Sequence, residues 1–223
     1  MKILRVNIFL FLLFCSKSLL FSQNTASATD FQTWNNLELK HKAFNSLDFV
    51  FKGGVRLMEN STRVSKYFSD LSVTKKYNNL FSYSLGYRYL LNKNNDLLFE
   101  KKNRFYGDFR FKKQAYKRFA LSLRTRIQSQ IDTDFNGDQN IKNKLREKIK
   151  LNHNFKQIDL DIFSAIEVFY LFDDGCEKIR YMIGFQKSLV KKLDLELNLM
   201  YQDELDDPLE SLFAIRTTVS YRI

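Results

Sequence analysis

From Leu193 to Leu199 every second residue is leucine, and the residues between, Asp194, Glu196 and Asn198, are polar. A β-strand points successive side chains to opposite faces, so this segment has one apolar and one polar face. The same two-residue period recurs strand after strand from 119 to 223, and the last such strand stops on Ile223. This patterning predicts an all-β chain: an antiparallel up-and-down transmembrane β-barrel of about 10–12 strands.

Eleven strand-like segments can be marked, at approximately 31–41, 47–58, 63–75, 80–90, 98–112, 118–130, 141–152, 158–170, 178–189, 193–203 and 212–223. No helical periodicity competes with them. The clearest apolar faces are Phe81, Tyr83, Leu85, Tyr87 and Tyr89; Ile158, Leu160, Ile162, Ile166 and Val168; and Phe213, Ile215, Val219 and Tyr221. Bacterial single-chain barrels use even strand numbers. One segment is therefore expected to be misassigned, either the weakly alternating first or the long fifth, leaving ten or twelve.

Residues 1–22 read as a signal peptide, with Lys2 and Arg5 ahead of a short apolar core, Ile8 to Phe14, and Ser22 as the small residue for cleavage. Phe14 is too bulky to precede a lipidated Cys15. Residues 23–30 form a polar lead-in and 31–223 a single β-barrel domain. Loss of Lys2, Arg5 and Lys17 with the leader lowers the net charge from +11 to +8. Cys176 is then the one remaining cysteine, so an intramolecular disulfide is excluded. No segment beyond the leader approaches the ~20 apolar residues of a spanning helix. The basic residues are spread over strands and turns without forming one patch, which argues against a nucleic-acid partner.

Alternation is shared by a soluble periplasmic, lipocalin-like β-barrel that turns its apolar face inward around an apolar ligand. Three features favour the outer membrane as the location. With the C-terminus taken as periplasmic, the outer connections carry acids: Asp132, Asp134 and Asp138; Asp173, Asp174 and Glu177; Asp203, Glu204, Asp206, Asp207 and Glu210. The inner turns carry bases: Lys75 and Lys76; Lys112, Lys113, Lys117 and Arg118; Lys191 and Lys192. Tyr67, Tyr87, Tyr89, Tyr170, Tyr181 and Tyr201 fall at outer strand ends and Tyr221 at an inner end, the arrangement of aromatic girdles. The third feature is the polar face itself. Its cations include Arg88, Arg104, Arg110, Arg124, Arg126, Arg146, Arg180 and Arg216, and its acids Asp108, Asp161, Glu167 and Glu196. In a narrow barrel these would meet across the lumen as ion pairs.

The segments TWNNLELKHK (33–42), RVSKYFSDLSVTKKY (63–77), SLGYRYLL (84–91), NRFYGDFRF (103–111), LSLRTRIQSQ (121–130), NKLREKIKL (143–151) and KIRYMIGF (178–185) together resemble domain of unknown function 2490. That family comprises uncharacterised outer-membrane-like β-barrels of Bacteroidota. The resemblance covers nearly the whole mature chain and implies an architecture and a location. It carries over no reaction and no catalytic residues.

Two constellations invite chemistry. Asp132, Asp134, Asn136 and Asp138 space oxygen ligands around Gly137 like the start of a calcium loop. Asn143 stands where a bidentate Glu is expected, which leaves at most weak divalent-cation binding, Ca2+ for example, and no tightly held cofactor. A lipid-modifying enzyme would need a nucleophile and a base, and only His41 and His153 are available, without a neighbouring carboxylate or a G-x-S-x-G elbow. Trp34 reads as a packing or interface anchor. A non-enzymatic barrel is therefore expected, structural, binding or a narrow anion-leaning pore, with outer-membrane lipid and the barrel-assembly machinery as partners. Leu197→Arg should be costly in lipid and Asn198→Arg mild.

Overall fold

The computed structural model describes residues 30–223, apart from 45, 94–98, 117, 134–136 and 206–210. The leader at 1–22, and the lead-in at 23–30 except Asp30, lie outside the described residues. The described residues form eleven strands: β1 (Asp30–Phe44), β2 (Leu47–Met58), β3 (Arg63–Lys76), β4 (Phe81–Lys93), β5 (Phe99–Tyr116), β6 (Phe119–Thr133), β7 (Gln139–Phe155), β8 (Leu160–Leu171), β9 (Gly175–Val190), β10 (Leu193–Glu204) and β11 (Leu212–Arg222). Each strand pairs antiparallel with its sequence neighbour, and β1 pairs with β11 to close the barrel.

Closure resolves the strand count. An odd number of up-and-down strands leaves the first and last running the same way, and β1 and β11 do pair in parallel, from Asp30↔Leu212 to Lys40↔Arg222. All eleven segments are strands, so the expected correction to ten or twelve does not occur. The seam is bonded to its end, where the Ile223 amide donates to the Lys40 carbonyl at 2.9 Å. Following the register from Trp34 through β2, β3 and β4 reaches Glu100 on β5. The opposite circuit, through β11 and back to β6, reaches Gln114 on the same strand. This stagger of fourteen residues tilts the strands by about 40° to the barrel axis. The connections after β2, β4, β6, β8 and β10 lie at one mouth, the loop mouth, and those after the other strands lie at the opposite one, the turn mouth.

Alternation sorts the side chains without ambiguity. On β8, Ile162, Ile166 and Tyr170 are 40–44% exposed, whereas Phe163 and Glu167 are each 2% exposed. The exposed set across the barrel is apolar, with Leu71, Leu85, Phe105, Ile127, Ile183 and Leu199 among it. This polarity is the reverse of a lipocalin-like barrel: grease faces out and charge faces in. Aromatic rings cluster at both ends of the exterior. Tyr181, Tyr201 and Phe213 make a contiguous run near the loop mouth, and Phe119, His153 and Phe155 another near the turn mouth. Glu147 interrupts the exterior of β7 between Leu145 and Ile149, accepting a 3.0 Å bond from Thr125 Oγ1.

Inside, two glycines let rings lie flat on the wall. Gly86 pairs across strands with Tyr106, and Gly54 with Phe68. A Cβ on Gly86 would stand 2.2 Å from the Tyr106 ring, and one on Gly54 would fall inside the Phe68 ring contact as well. An aromatic ring laid over a cross-strand glycine restores the packing the glycine lacks.

Candidate functional site: a cationic lumen

The barrel encloses a cavity of about 1230 Å³. Among the described residues, nineteen Lys and Arg line it against seven Asp and Glu. Every lumen candidate named from the sequence lies on this wall except Asp108, which sits 3% exposed behind Arg126. The acid and base positions inferred from the polar face therefore do share one interior.

From mid-height toward the loop mouth the lumen carries a belt of guanidinium groups stacked on rings. Arg126 lies over Tyr106 with its guanidinium carbon 3.7 Å from the ring centroid, and Arg88 over Phe68 at 4.5 Å. Each ring already rests on its glycine, so glycine, ring and guanidinium form successive layers from the wall inward. Across the lumen, Phe169 packs against Arg146 at 4.4 Å and Arg180 at 4.6 Å. Trp34 is contacted by Arg56 at 3.7 Å and by Arg180 at 5.2 Å. Stacking holds weakly hydrated guanidinium groups in place without neutralising them.

Neutralisation falls to a few carboxylates. Asp70 receives Arg88 Nε at 2.7 Å and the Tyr106 hydroxyl at 2.9 Å. Asp108 binds Arg126 through both oxygens, at 2.5 and 2.7 Å, and Arg110 at 3.2 Å. Glu167 holds Arg124 at 2.5 Å and Arg146 at 2.6 Å, with Arg180 at 3.7 Å. Glu38 pairs with Lys40 and Lys52, each at 2.6 Å. Arg104 bonds the Gln130 carbonyl oxygen through Nε at 2.9 Å and through Nη2. Like charges stand directly opposite one another on adjacent strands: Arg88 and Arg104, Arg110 and Arg124, Arg124 and Lys148, Arg126 and Arg146. Such pairs are repulsive. The wall from β4 to β7 is therefore strongly electropositive.

Several expectations from the sequence change. Glu177 and Glu204 are not loop acids. They stand on β9 and β10 and bond Lys144 and Lys178 at the loop mouth, at 2.7 and 3.0 Å. Asp132 likewise belongs to β6, taking Gln130 Nε2 at 2.6 Å and Lys102 at 3.3 Å. Of its companions in the calcium-like loop, Asp134 and Asn136 lie outside the described residues, and Asp138 is exposed. Among the described residues no three His, Cys, Asp or Glu converge as a metal site. Trp34 is packed, as expected, but in the lumen wall at 3% exposure. Asn198 is fully buried against Gly184, so Asn198→Arg would not be mild. His41 and His153 project from the exterior near the turn mouth. His153 is not a solvated histidine: Phe119 and Phe155 flank it with ring centroids 4.4 Å away.

Lumen aromatics were the residues the sequence reading overlooked. Phe68, Tyr106, Phe163 and Phe169 occupy polar-face positions; for the first three the available signal is a ring cross-strand from a glycine (Gly54, Gly86 and Gly184), whereas Phe169 stands between Arg146 and Lys178 and carries no such signal.

No curated protein matches the sequence. Among solved structures, the NanC porin in a rhombohedral crystal form superposes with a TM-score of 0.54, covering 87% of this chain and 99% of that chain at 12% identity. That likeness is one of fold. The family model of a protein of unknown function, DUF2490, matches residues 31–208, which run from β1 into the connection after β10. The chain belongs to the DUF2490 family.

Proposed function

We propose that this chain is an exported outer-membrane barrel whose lumen admits small anions in preference to cations, without catalysing a reaction. On this reading residues 1–22 are removed on export, the barrel-assembly machinery inserts the chain, and its apolar exterior meets lipid. The observation that carries it is the pairing of two surfaces. An apolar exterior with aromatic ends suits hydrocarbon and headgroups, and a lumen lined by nineteen bases and seven acids attracts anions. The cavity of about 1230 Å³ is small and crowded with charged side chains, so conductance should be small.

Planar-bilayer recording of the refolded protein in a salt gradient tests this. The expected result is a small conductance whose reversal potential lies toward the anion equilibrium potential. Cation selectivity, or a silent bilayer holding correctly folded protein, would overturn it.

A further inference from the structure

In the part of the lumen between the belt and the turn mouth, four cations are poorly satisfied. Lys148 and Lys150 occupy successive inward positions on β7, and Arg124 on β6 stands directly opposite Lys148. Arg216 reaches in from β11. Lys148 Nζ lies 3.7 Å from Met182 Sδ, and Arg216 Nη2 lies 4.0 Å from the same sulfur. Two cations from separate walls thus converge on a neutral thioether, a weak acceptor. Lys150 Nζ rests 3.7 Å from the centroid of the Phe163 ring. Among the described residues neither lysine makes a salt bridge, although Glu196 and Asp161 act on Lys150 from a distance, whereas Lys52 and Lys40 each share Glu38.

The two arginines have donors to spare. Arg124 spends Nη2 on Glu167, and its Nε is buried with no acceptor. Arg216 reaches Glu196 at 3.4 Å, and its Nε is also buried with no acceptor. The neighbouring acids are already engaged: Glu167 with Arg124, Arg146 and Arg180, Glu196 with Arg216 and the Asn198 amide, and Asp161 with the Asn154 amide. The charges acting on Lys148 are Glu167 and three further cations, Arg216, Arg124 and Lys150. Buried donors without acceptors are costly, and like charges side by side add to that cost.

We propose that Lys148, Lys150, Arg124 and Arg216 form a binding site for a phosphoryl dianion, inorganic phosphate or a soluble phosphomonoester. Two lysines without a salt bridge among the described residues match its two charges. Two guanidinium and two ammonium groups, arriving at the cavity from β6, β7 and β11, supply directional donors for tetrahedral oxygens, for which guanidinium and ammonium are the usual partners. A halide would satisfy the charge but not the directions, and acetate supplies one charge and two oxygens. The site deepens the anion-lumen reading and rests on it for access by solute.

The test is calorimetric titration of inorganic phosphate into the full-length mature barrel refolded in detergent, with glycerol 3-phosphate, sulfate, acetate and chloride titrated in parallel. Saturable one-to-one phosphate binding is expected, and tighter binding than acetate or chloride by tenfold or more. Glycerol 3-phosphate binding as tightly as phosphate identifies a phosphomonoester as the solute class, and its exclusion assigns the site to the free ion. Lys148→Gln and Lys150→Gln should each weaken binding by tenfold or more, while Lys66→Gln, which removes the same charge from the lining near the loop mouth, should leave it within twofold. Equal losses from all three variants would mean diffuse attraction and overturn the site, as would the absence of saturation in a barrel that retains its heat-modifiable gel mobility. The two readings fail separately. An anion-selective barrel without saturable phosphate binding loses the site and keeps the pore. Phosphate binding in a barrel that carries no current loses the pore and keeps the site.

Discussion

Arg56 lies flat over the indole of Trp34, its guanidinium carbon 3.7 Å from the ring centroid, in the wall of a charged lumen. Trp34 is the only tryptophan in the chain, so its fluorescence reports from the guanidinium belt alone. Iodide is drawn to that belt and caesium is repelled by it. In the refolded protein, iodide should quench Trp34 several-fold more strongly than caesium at equal ionic strength, and high inert salt should shrink the difference. Equal quenching by the two ions would mean that the lumen field is screened or closed to solutes.

Glycine placement makes the next prediction specific. Gly86 underlies the Tyr106 ring, and Tyr106 is fixed by its bond to Asp70 and by Arg126 above it. Gly86→Ala must push that ring off the wall, and about 1–3 kcal/mol of stability should be lost to overpacking. Gly107, next to Tyr106 in the same strand, faces outward, and a Cβ there would meet Leu85 Cδ2 at an ordinary 3.7 Å. Gly107→Ala should therefore be near neutral. Urea unfolding in lipid vesicles distinguishes the two.

Glu167 is 2% exposed and serves three guanidinium groups. Replacing it with Gln keeps the shape and leaves Arg124, Arg146 and Arg180 facing one another without a counter-charge. Breaking a buried charge cluster by removing one member costs about 3–5 kcal/mol, and water in the lumen should hold the loss to the lower end. A fall in the urea midpoint of Glu167→Gln, partly reversed by adding Arg146→Gln, is the expected pattern. Full stability in the single variant would mean that solvent, rather than Glu167, screens these arginines.

How far these features were legible depends on which physical rule governs them. Strand order, the outward apolar face and the charged interior follow from a period of two, and Leu193 to Leu199 displays that period in seven residues. The count of eleven followed too, but the even-number rule argued it down, because parallel closure of β1 on β11 is a long-range pairing with no local signature. Phe68, Tyr106 and Phe169 escape a sequence reading because hydrophobicity assigns rings to the lipid side, and Trp34, expected to pack, carries no signal that its packing is in the lumen wall. Their place inside is set by Gly54 and Gly86 on neighbouring strands and by stacking of Arg56, Arg88, Arg126 and Arg146, and both are tertiary facts. Glu177 and Glu204 fall at strand ends, where periodicity fixes a boundary only to within a residue or two, so a sequence alone places them in the loops.

Leu199 and Asn198 are adjacent on β10 and face opposite media. Leu199 is 54% exposed on the exterior, and Asn198 is 0% exposed with its Cβ pressed toward Gly184. In lipid vesicles Leu199→Arg should cost about 2–4 kcal/mol if it lies near the bilayer midplane. In detergent micelles, where the headgroups are closer and the core is soft, the cost should be much smaller. Asn198→Arg should be destabilising in both media, because the side chain has no room regardless of what surrounds the barrel. A medium-dependent loss at 199 alone is the outcome that places the exterior in hydrocarbon.

Glu147 gives the opposite sign on the same exterior. It stands on β7 between Leu145 and Ile149, its cross-strand neighbours are Thr125 and Val168, and its one bond is from the Thr125 hydroxyl. A carboxylate on a lipid-facing wall is costly, though less so than a lysine or arginine, and a single hydroxyl offsets little of that. Glu147→Leu should therefore stabilise the monomeric barrel in lipid vesicles by about 1 kcal/mol or more and change little in detergent. A substitution that destabilises the barrel at neutral pH would mean that Glu147 faces a polar partner in the membrane and not lipid.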